Sequence, residues 1–199
     1  MYKKIKDWLT WKWLATYCFV DKLLTLRNKS TFKYFAYGSN LSLKRMQSCT
    51  PSASFYCHGY LRGWRLDWSK RSSDGSAKCT ITCTDLLDDY VYGVIYEIPR
   101  KEKHKLIMAE GVGYGYKEEE IDVFSQYGTF GTYVTLTYVA TEDYIDRRLR
   151  PYPWHKAHVI RGATEMGLPR KYINEVLYKV PCQEDLDKQR VKREEAIQE

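Results

Sequence analysis

Apolar and polar residues alternate over much of the first two thirds of the chain, a pattern typical of strands that bury one face. We predict seven strands: Phe32–Tyr37, Ser54–Tyr60, Arg62–Ser69, Lys78–Thr84, Tyr90–Ile98, Glu118–Phe124 and Phe130–Ala140. Helical patterns predict helices over 41–46, 99–110, 154–166 and 169–180. Most strands follow one another directly and most helices lie in the C-terminal part of the chain. This order predicts an α+β fold with a mixed, curved or barrel-like sheet and flanking helices.

The chain divides into three segments. Residues 1–30 are basic and rich in Trp, and we predict a helical extension there. Its uninterrupted apolar part, residues 13–20, is too short to span a bilayer. Two interpretations stay open: a helix packed on the domain or on a partner, and an amphipathic helix in peripheral contact with a membrane. Residues 31–182 form the predicted domain, and the highly charged residues 183–199 are predicted to be an exposed helix or tail.

The net charge of +7 is concentrated at the start of the chain, because residues 1–30 contain seven basic and two acidic residues. The remainder is close to neutral, so no nucleic-acid partner is expected. Six cysteines show no Cys-x-x-Cys pair, which favours reduced thiols in a cytoplasmic protein. His155 and His158 have a spacing that allows them to share a helix face, but no third ligand is evident, so we predict no metal site.

The turn Gly38-Ser39-Asn40 separates the first predicted strand from a predicted helix. A strand, a turn of small residues and a helix start leave backbone N–H groups without partners, and such groups can hold a carboxylate or polarise a carbonyl. Ser39 or Asn40 is also suited to cap the helix. An ordinary strand–turn–helix corner explains the pattern equally well.

Glu110 lies between apolar residues at the predicted end of a helix. Burial there disfavours the charged carboxylate and raises its pKa, which suits a general base that works near neutral pH. The alternative is a solvent-exposed Glu at a frayed helix end, as most acidic residues are exposed.

Three motifs in this order resemble the γ-glutamylcyclotransferase family. Phe-Ala-Tyr-Gly-Ser-Asn-Leu at 35–41 resembles the family's substrate-loop signature. Residues 41–46 extend the match, because Arg45 and Met46 stand where the family has Arg and often Met after that signature. Ala109-Glu110-Gly111-Val112 is similar to the family's Glu-Gly-Val motif. Pro-Tyr-Pro-Trp-His at 151–155, together with 162–172, resembles its C-terminal helical block. The resemblance covers about 31–180, and residues 1–30 have no counterpart in it.

The resemblance implies an enzyme that converts γ-glutamyl amino acids to 5-oxoproline and the free amino acid. The α-amine of the substrate attacks its own γ-carbonyl, so no cofactor is expected, and Glu110 is implied as the catalytic acid/base. The residues implied in substrate binding are Tyr34, Phe35, Ala36, Tyr37, Gly38, Ser39, Asn40 and His155. The partners expected from the resemblance are a small γ-glutamyl dipeptide and a second copy of the chain in a homodimer.

Position 155 departs from the family, which more often has a tyrosine in the glutamyl pocket. Histidine also donates a hydrogen bond, but it is shorter and ordinarily titrates near neutrality, so rate or substrate preference is expected to differ. The alternative for His155 is a surface residue at a helix start. Two other functions stay open. The first is action on glutathione or γ-glutamyl-ε-lysine, which is disfavoured because the related cyclotransferase groups with those substrates usually carry Gly-Ser-Leu or Gly-Thr-Leu at the turn. The second is a weakly active interaction or membrane-peripheral protein that uses residues 1–30.

Overall fold

In the computed structural model, which describes residues 30–126 and 131–196, five strands close into a barrel and two more form a hairpin beside it. The strands are β1 (Thr31–Ala36), β2 (Ser54–Arg62), β3 (Trp64–Arg71), β4 (Ala77–Cys83), β5 (Tyr90–Pro99), β6 (Tyr116–Ser125) and β7 (Thr132–Ala140). The barrel order is β1-β5-β2-β6-β7. Its neighbours are antiparallel except β1 and β7, which run parallel where Tyr34 lies opposite Leu136.

The helices lie outside this sheet. They are α1 (Leu43–Cys49), α2 (Lys103–Glu110), α3 (Pro153–Glu165), α4 (Arg170–Tyr172), which continues as the π-helical turn Ile173–Leu177, and α5 (Lys188–Ala196). Short 3₁₀ turns span Ser39–Leu41, Arg100–Glu102 and Glu142–Tyr144. The predicted α+β fold with a barrel-like sheet and flanking helices is confirmed.

The first predicted helix differs in detail from the structure. The 3₁₀ turn Ser39–Leu41 comes first, and α1 begins only at Leu43. The expectation that Ser39 or Asn40 caps this helix is wrong, because neither the turn nor α1 has a capping side chain. The amide of Asn40 instead donates a hydrogen bond to Glu110, which is far away in sequence.

Hairpin β3–β4 is a two-stranded sheet of its own. Its regular pairing runs from Trp64 opposite Cys83 to Trp68 opposite Cys79, and the register then shifts. Lys70, rather than Ser69, is therefore paired with Lys78. Such a bulge bends a strand and changes the direction of the side chains that follow it.

The turn after β1 is held against α3 by close packing. Leu41 is fully buried, and its carbonyl accepts a 2.7 Å hydrogen bond from the Tyr96 hydroxyl. A Cβ atom on Gly162 of α3 would lie 2.7 Å from the backbone N of Ser42, so only glycine allows this approach. The packing fixes the turn relative to the helix that carries His155.

The C-terminal segment folds back onto α3. The indole N–H of Trp154 donates to Asp185 at 2.9 Å, and Asp185 also accepts hydrogen bonds from the guanidinium of Arg190 in α5. Asp185 is only 3% exposed, so it anchors the charged segment to the domain through a buried contact.

The predicted extension over residues 1–30 lies, apart from Ser30, outside the described residues, as do the start of the last predicted strand and residues 197–199. No helix within 30–126 and 131–196 has the length and apolar character needed to cross a membrane.

Candidate active site

The 3₁₀ turn after β1 presents hydrogen-bond donors at one end of the barrel. The N–H of Leu41 donates to the Gly38 carbonyl at 3.0 Å. The N–H groups of Ser39 and Asn40 begin the turn, where no preceding turn supplies carbonyls, and no backbone acceptor for them is found among the described residues. These donors are available to a carbonyl or carboxylate of a ligand.

Glu110 is the last residue of α2. The helix ends there because Gly111 adopts the left-handed conformation, with φ 63° and ψ 43°, which glycine reaches without a steric penalty. The Asn40 side-chain amide donates a hydrogen bond to Glu110 Oε1, so the turn and the helix end meet directly. The alternative of a solvent-exposed Glu at a frayed helix end is wrong.

The environment of Glu110 raises its pKa to about 7. Burial of the carboxyl group is the dominant cause, and it outweighs the Asn40 hydrogen bond and the charges of Lys70 and Arg45, which favour the carboxylate. A carboxyl group with this pKa exchanges a proton readily at neutral pH.

A cavity of about 320 Å³ opens in front of Asn40 and Glu110. Its lining combines aromatic, basic and acidic side chains with the glycine turn: Tyr34, Tyr37, Gly38, Ser39, Asn40, Arg45, Lys70, Ser72, Lys78, Cys79, Ala109, Glu110, Tyr116, Tyr138, Trp154, His155 and Glu194. Seven of the nine residues implied by the family resemblance therefore share one cavity. The other two, Phe35 and Ala36, are buried in the core and do not line it. Phe35 follows Tyr34 in the strand and so faces the opposite side.

Tyrosine hydroxyls shape the wall of the cavity. Tyr37 donates to the carbonyl of Tyr138, and Tyr116 donates to the carbonyl of Cys79 at 2.6 Å. The hydroxyl of Tyr138 is buried and has no hydrogen-bond partner among the described residues. Burial raises the pKa of Tyr138, so it keeps its proton at neutral pH and is a donor for a bound ligand.

His155 lies in the cavity wall and is 7% exposed, so the alternative of a surface residue is wrong. Its ring packs edge-on against Trp68 and Trp154, with centroids 5.8 and 5.7 Å apart. Burial, followed by the charges of Lys78 and Arg45, holds its pKa well below the usual value, so the ring is neutral at pH 7. The expectation that His155 titrates near neutrality is wrong for this environment. Its Nε2 is buried without a hydrogen-bond partner among the described residues.

Two other side chains of the region carry no evident chemistry of their own. Burial strongly raises the pKa of the Cys79 thiol, which lines the cavity, so it stays protonated and is a poor nucleophile. His158 is also buried, and its Nε2 lies 3.4 Å from Glu194. No group of three His, Cys, Asp or Glu side chains suited to a metal ion occurs within the described ranges.

Sequence reasoning missed four charged residues of the cavity: Arg45, Lys70, Lys78 and Glu194. Arg45 belongs to the motif stretch at 41–46, which was the available signal for it. Lys70 lies beyond the predicted end of its strand, behind the bulge. Glu194 belongs to the charged C-terminal segment, where charge alone indicates solvent exposure.

Comparisons with known proteins identify relatives of this chain. Residues 90–176 match the model of the AIG2-like family. The gamma-glutamylcyclotransferase of Homo sapiens is 32% identical over 160 residues, which cover 76% of this chain and 80% of the human protein. The enzyme of that name from Mus musculus is 33% identical over 153 residues, covering 71% and 75%.

A solved structure named gamma-glutamyl cyclotransferase superposes with a TM-score of 0.73 at 29% identity, and the match covers 84% of this chain and 97% of that one. The identity to the human protein and the extent of the match go beyond a shared fold. The chain belongs to the gamma-glutamylcyclotransferase family.

Proposed function

We propose that this protein is a lyase that converts γ-glutamyl amino acids to 5-oxoproline and the free amino acid. The observation that carries the proposal is the contact between Asn40 and Glu110 in one cavity. It joins a turn with free N–H donors to a carboxyl group whose pKa is about 7. Membership of the gamma-glutamylcyclotransferase family supports the same reaction.

The proposed chemistry uses only groups of the substrate and of this chain. Glu110, as a carboxylate, removes a proton from the α-ammonium of the glutamyl part. The freed amine attacks the γ-carbonyl carbon, and the new C–N bond closes a five-membered ring. The amide bond to the second amino acid then breaks as Glu110 gives its proton to the leaving nitrogen. Glu110 next takes the second proton of the ring nitrogen, which becomes the lactam N–H, and passes it to the departing amine, which leaves as an ammonium. An intramolecular attack needs no second bound nucleophile, so positioning accounts for much of the rate.

Charge that develops on the γ-carbonyl oxygen needs donors that are already in position. The N–H groups of Ser39 and Asn40 and the hydroxyl of Tyr138 are the candidates on the cavity wall. Neutral His155 offers one further donor or acceptor to the glutamyl part, depending on its tautomer. Each of these candidate groups is neutral at pH 7. Glu110 is therefore the group among them that exchanges a proton near that pH.

The proposal is tested by incubating the purified chain with γ-glutamyl-alanine and measuring 5-oxoproline and alanine in equal amounts by mass spectrometry. Parallel reactions contain glutathione or γ-glutamyl-ε-lysine, and a Glu110→Gln variant serves as the control. We expect product from the dipeptide, little from the other two substrates, and almost none from the variant. Absence of 5-oxoproline from the dipeptide contradicts the proposal.

Residues 1–30 favour a second, non-catalytic role, because they hold five of the seven net positive charges together with a cluster of Trp residues. Peripheral membrane contact through this segment is measured by flotation with anionic vesicles, with and without residues 1–30. A homodimer in the cytoplasm is the assembly and location that we propose for the enzyme. Light scattering on the full chain gives its mass, and a monomer at assay concentration contradicts the homodimer.

A further inference from the structure

Two lysines face each other in the cavity wall. Lys70 of β3 is directly opposite Lys78 of β4, and both line the cavity. Lys70 is only 9% exposed. Like charges directly opposite in a sheet destabilise it, and a buried ammonium without an anion costs still more. The pair concentrates positive charge at this point of the cavity wall.

The pairing of Lys70 with Lys78 results from the bulge in β3. In a regular hairpin, Ser69 would lie opposite Lys78 and Lys70 would lie opposite Ala77. The register shift between Trp68 and Lys70 brings the second lysine to the first. Bulges occur often next to active sites, where they redirect a side chain.

Only one of the two lysines has a counterion in the described structure. Lys78 Nζ lies 2.8 Å from Asp74 Oδ2 and 4.5 Å from the centre of the Trp154 ring. Lys70 Nζ lies 4.6 Å from the centre of the Tyr116 ring, and no carboxylate within 30–126 and 131–196 comes within 4.0 Å of it. Lys70 is therefore a largely buried side chain that feels the charges of Glu110 and Asp74. Its ammonium has an aromatic neighbour but lacks an anion within salt-bridge distance among the described residues.

The proposed reaction supplies that anion. A γ-glutamyl amino acid carries two carboxylates, one on the glutamyl part and one on the amino acid that leaves. Each carboxylate lies two bonds from a nitrogen that exchanges a proton with Glu110, so both must bind near that residue. The turn N–H groups, Tyr138 and His155 serve the glutamyl part, which leaves the two lysines for the carboxylate of the leaving amino acid. Lys70 is the first of the two cations that act electrostatically on the Glu110 carboxyl. Lys70 lines the same cavity as Glu110 and is therefore placed to bind the carboxylate of the leaving amino acid.

We infer that Lys70, with Lys78 opposite it, binds the carboxylate of the leaving amino acid and so selects γ-glutamyl amino acids over γ-glutamyl amides. This inference rests on the proposed function. A ligand with a neutral amide in place of that carboxylate leaves the Lys70 ammonium buried and unpaired. Sites built for a polar partner reject analogues that lack it, here by about tenfold to a hundredfold in kcat/KM.

The test compares γ-glutamyl-alanine with γ-glutamyl-alaninamide, which has nearly the same size but no second carboxylate. Values of kcat and KM are measured for the parent chain, for Lys70→Met and for Lys33→Met. Lys33 is a matched control, because its ammonium also lies over tyrosine rings, 4.7 Å from Tyr56 and 5.4 Å from Tyr133, but does not line the cavity.

We expect the parent and Lys33→Met to prefer the free carboxylate by about tenfold or more. In Lys70→Met the kcat/KM values of the two substrates converge, mainly because KM for γ-glutamyl-alanine rises. Lys70→Arg should restore part of the preference. A parent that uses both substrates equally overturns the inference without any variant, as does a Lys70→Met enzyme that keeps the preference. A parent that makes 5-oxoproline from neither substrate overturns the proposed function as well, and this outcome is distinct from the other two.

Discussion

The two walls of the cavity are built differently. One wall is the turn after β1 with Glu110, where hydrogen-bond donors and a carboxyl group meet through the contact between Asn40 and Glu110. The other wall is hairpin β3–β4 with Lys70 and Lys78, and it supplies positive charge. In our account the first wall performs the chemistry and the second selects the substrate. Changes in the first should therefore lower kcat, and changes in the second should raise KM.

The largest effect is expected at the first wall from Glu110→Gln. An amide cannot accept the ammonium proton, so kcat for γ-glutamyl-alanine should fall by about 10² to 10⁴, the usual contribution of a general acid/base. Steady-state kinetics give this ratio. Glu165→Gln is a suitable control, since Glu165 pairs with Arg161 on α3 and does not line the cavity. A loss of less than threefold in Glu110→Gln would remove Glu110 from the mechanism.

The same variant should be more stable than the parent at alkaline pH. The folded-state pKa of Glu110 is raised from 4.5 to about 7, so its stabilising contribution is present below pH 4.5 and is lost as pH rises to 7. From the size of the shift, the loss is at most about 3 kcal/mol. Denaturant unfolding at pH 4.5 and pH 8 should show the two proteins diverging only at the higher pH. Equal stability of the parent and Glu110→Gln at pH 8 would contradict a Glu110 pKa raised by burial.

Beyond the second wall, Asp185→Ala tests whether α5 is part of the site. The change leaves the Trp154 indole N–H and the Arg190 guanidinium without their acceptor, which should cost about 1–3 kcal/mol of unfolding free energy. Because α5 carries Glu194 into the cavity lining, KM should rise several-fold while kcat changes little. Unfolding and kinetics on the same preparation separate these effects. A fall in kcat with constant KM would contradict this expectation and would assign α5 a role in the chemical step.

The smallest effect is expected from Asn40→Ala. The Asn40 hydrogen bond favours the Glu110 carboxylate, so its loss raises the Glu110 pKa and leaves less base at pH 7. Activity at pH 7 should fall by about fivefold and recover as pH rises, since a pKa that moves up by about one unit from 7 lowers the carboxylate fraction at pH 7 from about one half to about one tenth. A pH profile of kcat/KM from pH 6 to 9 shows the recovery. An equal loss at every pH would assign Asn40 to substrate binding alone.

The difference between the walls also explains what the sequence could reveal. The Gly38-Ser39-Asn40 turn and Glu110 belong to short contiguous patterns, a strand that stops at small residues and a helix that ends at glycine, so local chemistry indicates both. Their contact spans 70 residues, and only the family resemblance indicated that the two residues belong to one site. The barrel followed from alternating strands, although the 3₁₀ turn before α1 and the absence of a capping side chain did not.

The second wall could not be predicted in the same way. Alternation locates a strand face only while the register is regular, and the bulge before Lys70 breaks that rule. Glu194 lies in a run of charges that ordinarily indicates solvent, and only the buried Asp185 anchor brings its helix to the domain. His155 lines the same cavity as the turn, but its neutral state depends on burial and on the charges of Lys78 and Arg45, which the sequence does not show.

The central claim is that a Glu110 carboxyl with a pKa near 7 performs the proton transfers of cyclisation. The most direct measurement is the pH dependence of 5-oxoproline formation from γ-glutamyl-alanine by the parent chain, expressed as kcat/KM. We predict a rate that rises through a midpoint near pH 7 and that this limb disappears in Glu110→Gln. A rate that is constant from pH 6 to 8, or a limb that persists in the variant, would contradict the account.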